Sequence, residues 1–162
     1  MKFILRHTFK SETQYASKIL ANLNWFTKNG YKIKLPKDIG SDSKQNKINK
    51  AIINDFQAAN KIFQKIKPEI EQILIRNQEI LENFFSCFDY SIPNKVMVYF
   101  TIYGPGGSYS PPDKIIVMLK DDPEWILKMI IHEVLHIIIE KPFIKKFNIL
   151  HWEKEFIVDR LF

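Results

Sequence analysis

Apolar residues along this chain recur at helical spacing through most of its length and alternate, or run together, in a few shorter stretches. The pattern predicts an α+β protein. Lys2–Phe9 reads as a short strand or a frayed start. Ser11 with Gln14 resembles a capping box, and Tyr15, Ile19, Leu20, Leu23 and Phe26 then share one helix face until Asn29-Gly30 closes it. Tyr31–Leu35 alternates apolar and basic residues, as a half-buried strand does, and Pro36–Asn46 is a polar loop. Lys47–Ile66 is helical through Ile48, Ala51, Ile52, Asp55, Ala59 and Phe63. Pro68 suits the start of a further helix, Glu69–Phe85, with Ile70, Ile73, Leu74, Ile80, Leu81 and Phe84 inward, so the two form a helical hairpin. Val96–Tyr103 is a strand rich in β-branched and aromatic residues. After it come a glycine-rich turn (Gly104–Gly107), a short edge strand (Ser108–Ser110), a Pro-Pro-Asp turn and a continuous apolar strand, Ile115–Leu119.

The next stretch, Asp121–Glu140, reads as one helix. Asp122 is its N-cap, Pro123 takes the first helical position, Glu124 faces the positive end of the dipole, and Pro142 stops it. It is apolar nearly all round, which marks a buried helix. Yet it carries the sequence HEVLH, His132 to His136. Histidines four apart project from one face, so two ring nitrogens can reach one Zn²⁺ at roughly 2.0–2.1 Å. Glu133 stands beside them as a general base towards water. Chance produces such a pattern too, as two half-buried histidines and a surface glutamate. His151–Asp159 then reads as a short helix on which Glu155 and Asp159 share a face. A two-histidine zinc site needs a third ligand and an open position, and a ligating histidine commonly donates its other N–H to a carboxylate. Glu155 and Asp159 fill those two needs.

HExxH followed by a Glu-x-x-x-Asp helix resembles the gluzincins, the thermolysin-like and alanyl-aminopeptidase-like zinc peptidases. Eighteen residues lie between His136 and Glu155, similar to the aminopeptidase spacing, and Trp152-x-x-Glu155 is similar to a pairing common there. The resemblance covers roughly the last third of the chain, with a looser match in the strands before it. It implies a zincin-like fold, a small mixed sheet packed on helices that include the HExxH helix. It implies one Zn²⁺ on His132, His136 and Glu155, with Glu133 as base and Asp159 behind His132. It also implies that the edge strand, Gly106, Gly107, Ser108 and Tyr109, lines the cleft and binds an extended peptide or protein substrate. The oxyanion donor that larger gluzincins place downstream of the glutamate helix has no counterpart here. Tyr109 is the first choice for it, with Tyr103, His151 and Arg160 as others. Glu153, His151 or Glu140 would be substitutes for Glu155 as ligand. The alternative to a peptidase is a zincin-like peptide-binding or regulatory protein with little turnover, self-inhibited or completed by self-association.

Composition narrows this further. At 162 residues with 46% apolar content, the chain fits one domain, mainly helical over residues 1–92 and carrying strands and the motif over residues 95–162. Cys87 is the sole cysteine, which rules out an internal disulfide and a multi-thiolate zinc site, and it reads as buried filler. The net charge is +6, almost entirely from lysines scattered along the sequence without a stripe, which argues against nucleic acid as partner. No apolar run reaches the roughly 20 residues of a membrane span, and none forms a signal-peptide core. The expectation is a cytoplasmic protein without membrane contact.

Overall fold

The computed structural model describes residues 1–88 and 93–161. Four strands, β1 (Lys2–Arg6), β2 (Lys95–Thr101), β3 (Gly107–Ser110) and β4 (Lys114–Met118), form one mixed sheet in the order β1-β2-β4-β3. β1, β2 and β4 run parallel, and the short β3 lies antiparallel on the β4 edge. Alternation sets the inner face. Leu5, Val96, Val98, Phe100, Ile115 and Val117 are buried and meet the helices. The opening residues thus form a true strand rather than a frayed end, because they pair with β2 93 positions on.

The helices are α1 (Phe9–Ala21), α2 (Leu23–Lys28), α3 (Gln45–Arg76), α4 (Gln78–Ser86), α5 (Pro123–Ile139) and α6 (His151–Leu161). The molecule is therefore α+β, and the expected edge strand, apolar strand and long motif helix are all present, while the strand expected over Val96–Tyr103 is present but ends at Thr101. Asp122 caps α5, its side chain accepting the Trp125 N–H at 3.0 Å. Ile126, Ile130, Val134, Leu135 and Ile138 of α5 are almost wholly buried. Each such side chain contributes about 1.5–3 kcal/mol by burial.

Several expectations fail for tertiary reasons. The capping box at the start of α1 is Thr8 with Ser11, not Ser11 with Gln14, so the helix begins three residues earlier. The expected single helix through Phe26 breaks at Asn22, whose side-chain amide turns back onto the Lys18 carbonyl. Tyr31–Leu35 keeps its alternation but is no strand: only Lys34 pairs, as an isolated bridge to Gly104. The helical hairpin is instead one helix, α3, of 32 residues and about 48 Å. Pro68 lies inside it rather than opening a second helix. Phe63, Ile66, Ile70 and Leu74 on both sides of the proline enter the same core, while Pro68 and Gln64, whose carbonyl loses its donor, face solvent. In α4 the inward residues are Leu81 and Phe85, and Ile80 is 66% exposed. Cys87 is exposed, at the helix end, and not a core residue. Pro142 does not stop the chain's helical course. α5 widens after Ile139 into a π-helical turn, Glu140–Lys145, that includes the proline. Among the described residues, no helix is long and apolar enough to cross a membrane.

Candidate metal centre

α5 and α6 bring the motif residues together. His132 and His136 project one turn apart from α5, and Glu155 projects from the first turns of α6. Their donor atoms converge: His132 Nε2 to His136 Nε2 is 3.1 Å, His136 Nε2 to Glu155 Oε2 is 3.2 Å, and His132 Nε2 to Glu155 Oε2 is 3.5 Å. Three donors on a tetrahedral zinc ion at roughly 2.0–2.1 Å would lie about 3.3–3.4 Å apart. The donor set and its edges therefore fit such an ion, and among the described residues this is the cluster with metal-ligand geometry. Asp159 Oδ1 stands 3.4 Å from His132 Nδ1, which favours the tautomer that leaves Nε2 free to bind. The His136 ring is set differently. It stacks on Tyr109 at 4.8 Å and 8° between planes, and its Nδ1 is buried without a hydrogen-bond partner among the described residues.

Glu133 is 4% exposed and faces the same cleft. Burial pushes its carboxyl up to about 8, Glu155 adds to the rise, and the charges of His132 and Lys154 oppose it. Burial would also raise Glu155, but the hydrogen bonds from His132 and His136 and the charge of Lys154 outweigh it and hold the carboxyl well below the usual carboxylate range. Burial lowers His136. For His132, burial pulls down, yet Glu155, Glu133 and Asp159 together raise it.

A cleft of about 490 Å³ opens in front of these groups. One wall is the edge segment Gly106, Gly107, Ser108 and Tyr109, where the sequence places it. Gly107 is there from necessity: a Cβ on it would lie 2.1 Å from Glu133 Oε1. The Tyr109 hydroxyl is already engaged. It donates to Glu140 Oε2 at 2.6 Å and accepts from Lys154 Nζ at 2.9 Å. Tyr109 is thus a brace for His136, and the geometry does not favour it as the oxyanion donor. Tyr103 is fully buried against Asp55, away from the cleft, and Arg160 lies over the Phe156 ring. His151 does line the cleft, with Nδ1 3.8 Å from Glu155 Oε1. Of the substitute ligands, Glu140 is taken by Tyr109, and Glu153 accepts the Leu150 N–H at 2.9 Å.

Sequence reasoning missed the opposite wall. Trp25 and Phe26 of α2, with Tyr31 just beyond it, face the metal-ligand cluster. Tyr31 stacks on Trp152 at 5.4 Å and on Trp25 at 5.8 Å, and its hydroxyl lies 2.6 Å from His151 Nε2. Burial, with Glu155 and Glu133 nearby, raises that phenol to about 12. Lys154, 13% exposed, was missed as well. Only the concentration of aromatics around Asn29-Gly30 hinted at the first group, and nothing local marks the second.

No protein-family model matches this chain, and comparisons with curated proteins and with solved structures return no match either. Fold and function therefore rest on the residues themselves.

Proposed function

We propose that this chain is a zinc-dependent peptidase of zincin-like, gluzincin type, with His132, His136 and Glu155 holding the metal. The observation that carries the reading is the convergence of two Nε2 atoms and one carboxylate oxygen at tetrahedral-edge separations, with Glu133 facing the same cleft. When bound, zinc supplies a Lewis acid that polarises a carbonyl and makes water more acidic. Glu133 takes the proton of the attacking water and returns it to the departing amine nitrogen. β3 offers its free backbone edge to an extended peptide, and Gly107 lets that edge approach Glu133. The Tyr31 hydroxyl, held by His151 on the facing wall, is better placed than Tyr109 to donate to the developing oxyanion. Lys154 and Tyr109 hold Glu140, Glu155 and the His136 ring in register.

The test is metal content by elemental mass spectrometry, beside hydrolysis of a mixed peptide pool. About one zinc per chain is expected. It should fall sharply in Glu155→Ala and persist in Glu133→Gln, which should lose hydrolysis. A chain that binds no zinc after reconstitution, or a Glu133→Gln variant that cleaves as well as wild type, overturns the reading.

A further inference from the structure

The second wide groove of the molecule lies away from the metal-ligand cluster, on the face of the sheet turned from α3 and α5. Strand register builds its floor. Arg6, Tyr99, Ile116 and Ser108 form one row across β1, β2, β4 and β3, and Ile4, Met97, Lys114 and Ser110 form the next. Met97, Tyr99 and Ile116 are only half-buried there. α1 makes the bank, adding Lys10 from its first turn and Lys18 from its last. The result is a groove of about 690 Å³ rimmed by four cations, Arg6, Lys10, Lys18 and Lys114, and among the described residues no carboxylate lines it. All four are exposed, and none forms an ion pair among the described residues. Glu12, the one acid in the first turn of α1, is turned inward and wholly buried.

Unneutralised cations gathered round an apolar, aromatic floor suit a ligand with anions along its edge and flat apolar faces. That is single-stranded nucleic acid, whose phosphates follow a basic rim while bases stack on aromatic rings. Tyr99 is suited to the stacking role. Arg6 lies beside it in register, and Lys114 Nζ is 5.6 Å from its ring centroid, so a phosphate held at the rim leaves its base within reach of the ring. Duplex DNA would offer the rim its phosphates but hide its base faces from the floor. An acidic peptide would use the rim and gain nothing particular from an aromatic ring. The net charge of +6 favours encounter with either polyanion and does not discriminate. We propose that this groove is a binding site for single-stranded nucleic acid, with Arg6, Lys10, Lys18 and Lys114 on phosphates and Tyr99 under a base. The proposal is independent of the metal centre.

Fluorescence anisotropy of the full chain with a labelled oligothymidylate tests it. With four phosphate contacts, the logarithm of the association constant should fall with the logarithm of salt concentration with a slope of about −3. Replacing Arg6→Gln and Lys10→Gln together should halve that slope. Tyr99→Leu should weaken binding at least about fivefold with the slope unchanged, since stacking is not ionic. Glu155→Ala should bind as wild type. Thermal melting of each variant separates lost binding from lost folding. Absence of binding at low salt overturns the proposal, as does a slope indifferent to the cation variants. Displacement by polyglutamate with Tyr99→Leu behaving as wild type also overturns it, and assigns the groove to acidic peptides.

Discussion

Gly107 and Asp159 carry the sharpest consequences of single side chains. A methyl group at position 107 would overlap the Glu133 carboxylate, whose flexible end must then swing away. Gly107→Ala should therefore keep its zinc and fold but lose about 100-fold or more in hydrolysis, the scale of a misplaced general base. Parallel metal analysis and peptide assays check this, and undiminished hydrolysis would remove Glu133 from the mechanism. The Asp159 side chain is 67% exposed and touches His132 only through Nδ1. Asp159→Ala should weaken zinc binding about 10–100-fold in chelator competition. It should shift stability by no more than about 0.5 kcal/mol. These relations were partly legible. The four-residue spacings put His132 with His136, and Glu155 with Asp159, on shared faces, because helical periodicity is a local property. That Gly107 touches Glu133 was not legible, since the two meet only when β3 lies along α5.

Among the elements, α3 is the clearest case of packing overriding a local signal. A proline inside a helix removes one backbone hydrogen bond and costs about 3 kcal/mol or more. Pro68 is nonetheless kept within the helix, because Phe63 and Ile66 before it and Ile70 and Leu74 after it enter one core. Its ring faces solvent and fills no core space. Pro68→Ala should thus stabilise the protein by about 1–3 kcal/mol, measured as a higher urea midpoint with an unchanged m-value. A lower midpoint would mean that the proline supports a bend the core needs. Read locally, the same proline marks a helix start, and the hairpin expectation followed from it. The Tyr31–Leu35 segment failed in the opposite sense. Its alternation was sound, yet no neighbouring strand lay alongside to make it one.

For the whole molecule, the unit that joins the N-terminal helix to the sheet is Glu12. One of its oxygens accepts from the Ile102 backbone at 2.9 Å and from the Thr101 hydroxyl at 3.2 Å, and the other lies 3.5 Å from the buried His7 ring. These contacts pin the end of β2, where the chain turns towards Gly104 and the cleft wall. Glu12→Ala leaves the half-buried Ile102 N–H without its acceptor and the buried Thr101 hydroxyl with only the Tyr103 carbonyl at 3.5 Å, and should cost about 1–3 kcal/mol. Glu12→Gln keeps an acceptor in place and should cost less. Equal losses in urea unfolding would show that bulk rather than hydrogen bonding decides the position.

What the sequence by itself determined was whatever short-range geometry controls: the capped apolar helix bearing HEVLH, the helix bearing Glu155 and Asp159, the strands where reading and structure overlap, 96–101 and 115–118, and the edge strand between them. Their signals are periodicity, capping and turn chemistry, all complete within a few residues. The tertiary structure alone decided which distant segments face one another. It set Tyr31 opposite Glu155 across the cleft, gave the Tyr109 hydroxyl to Glu140 and Lys154, and drew Arg6, Lys10, Lys18 and Lys114 round one groove from β1, α1 and β4. Lysines that look scattered along the chain become a rim because sheet pairing is long-range. No local pattern records where a strand will find its partner.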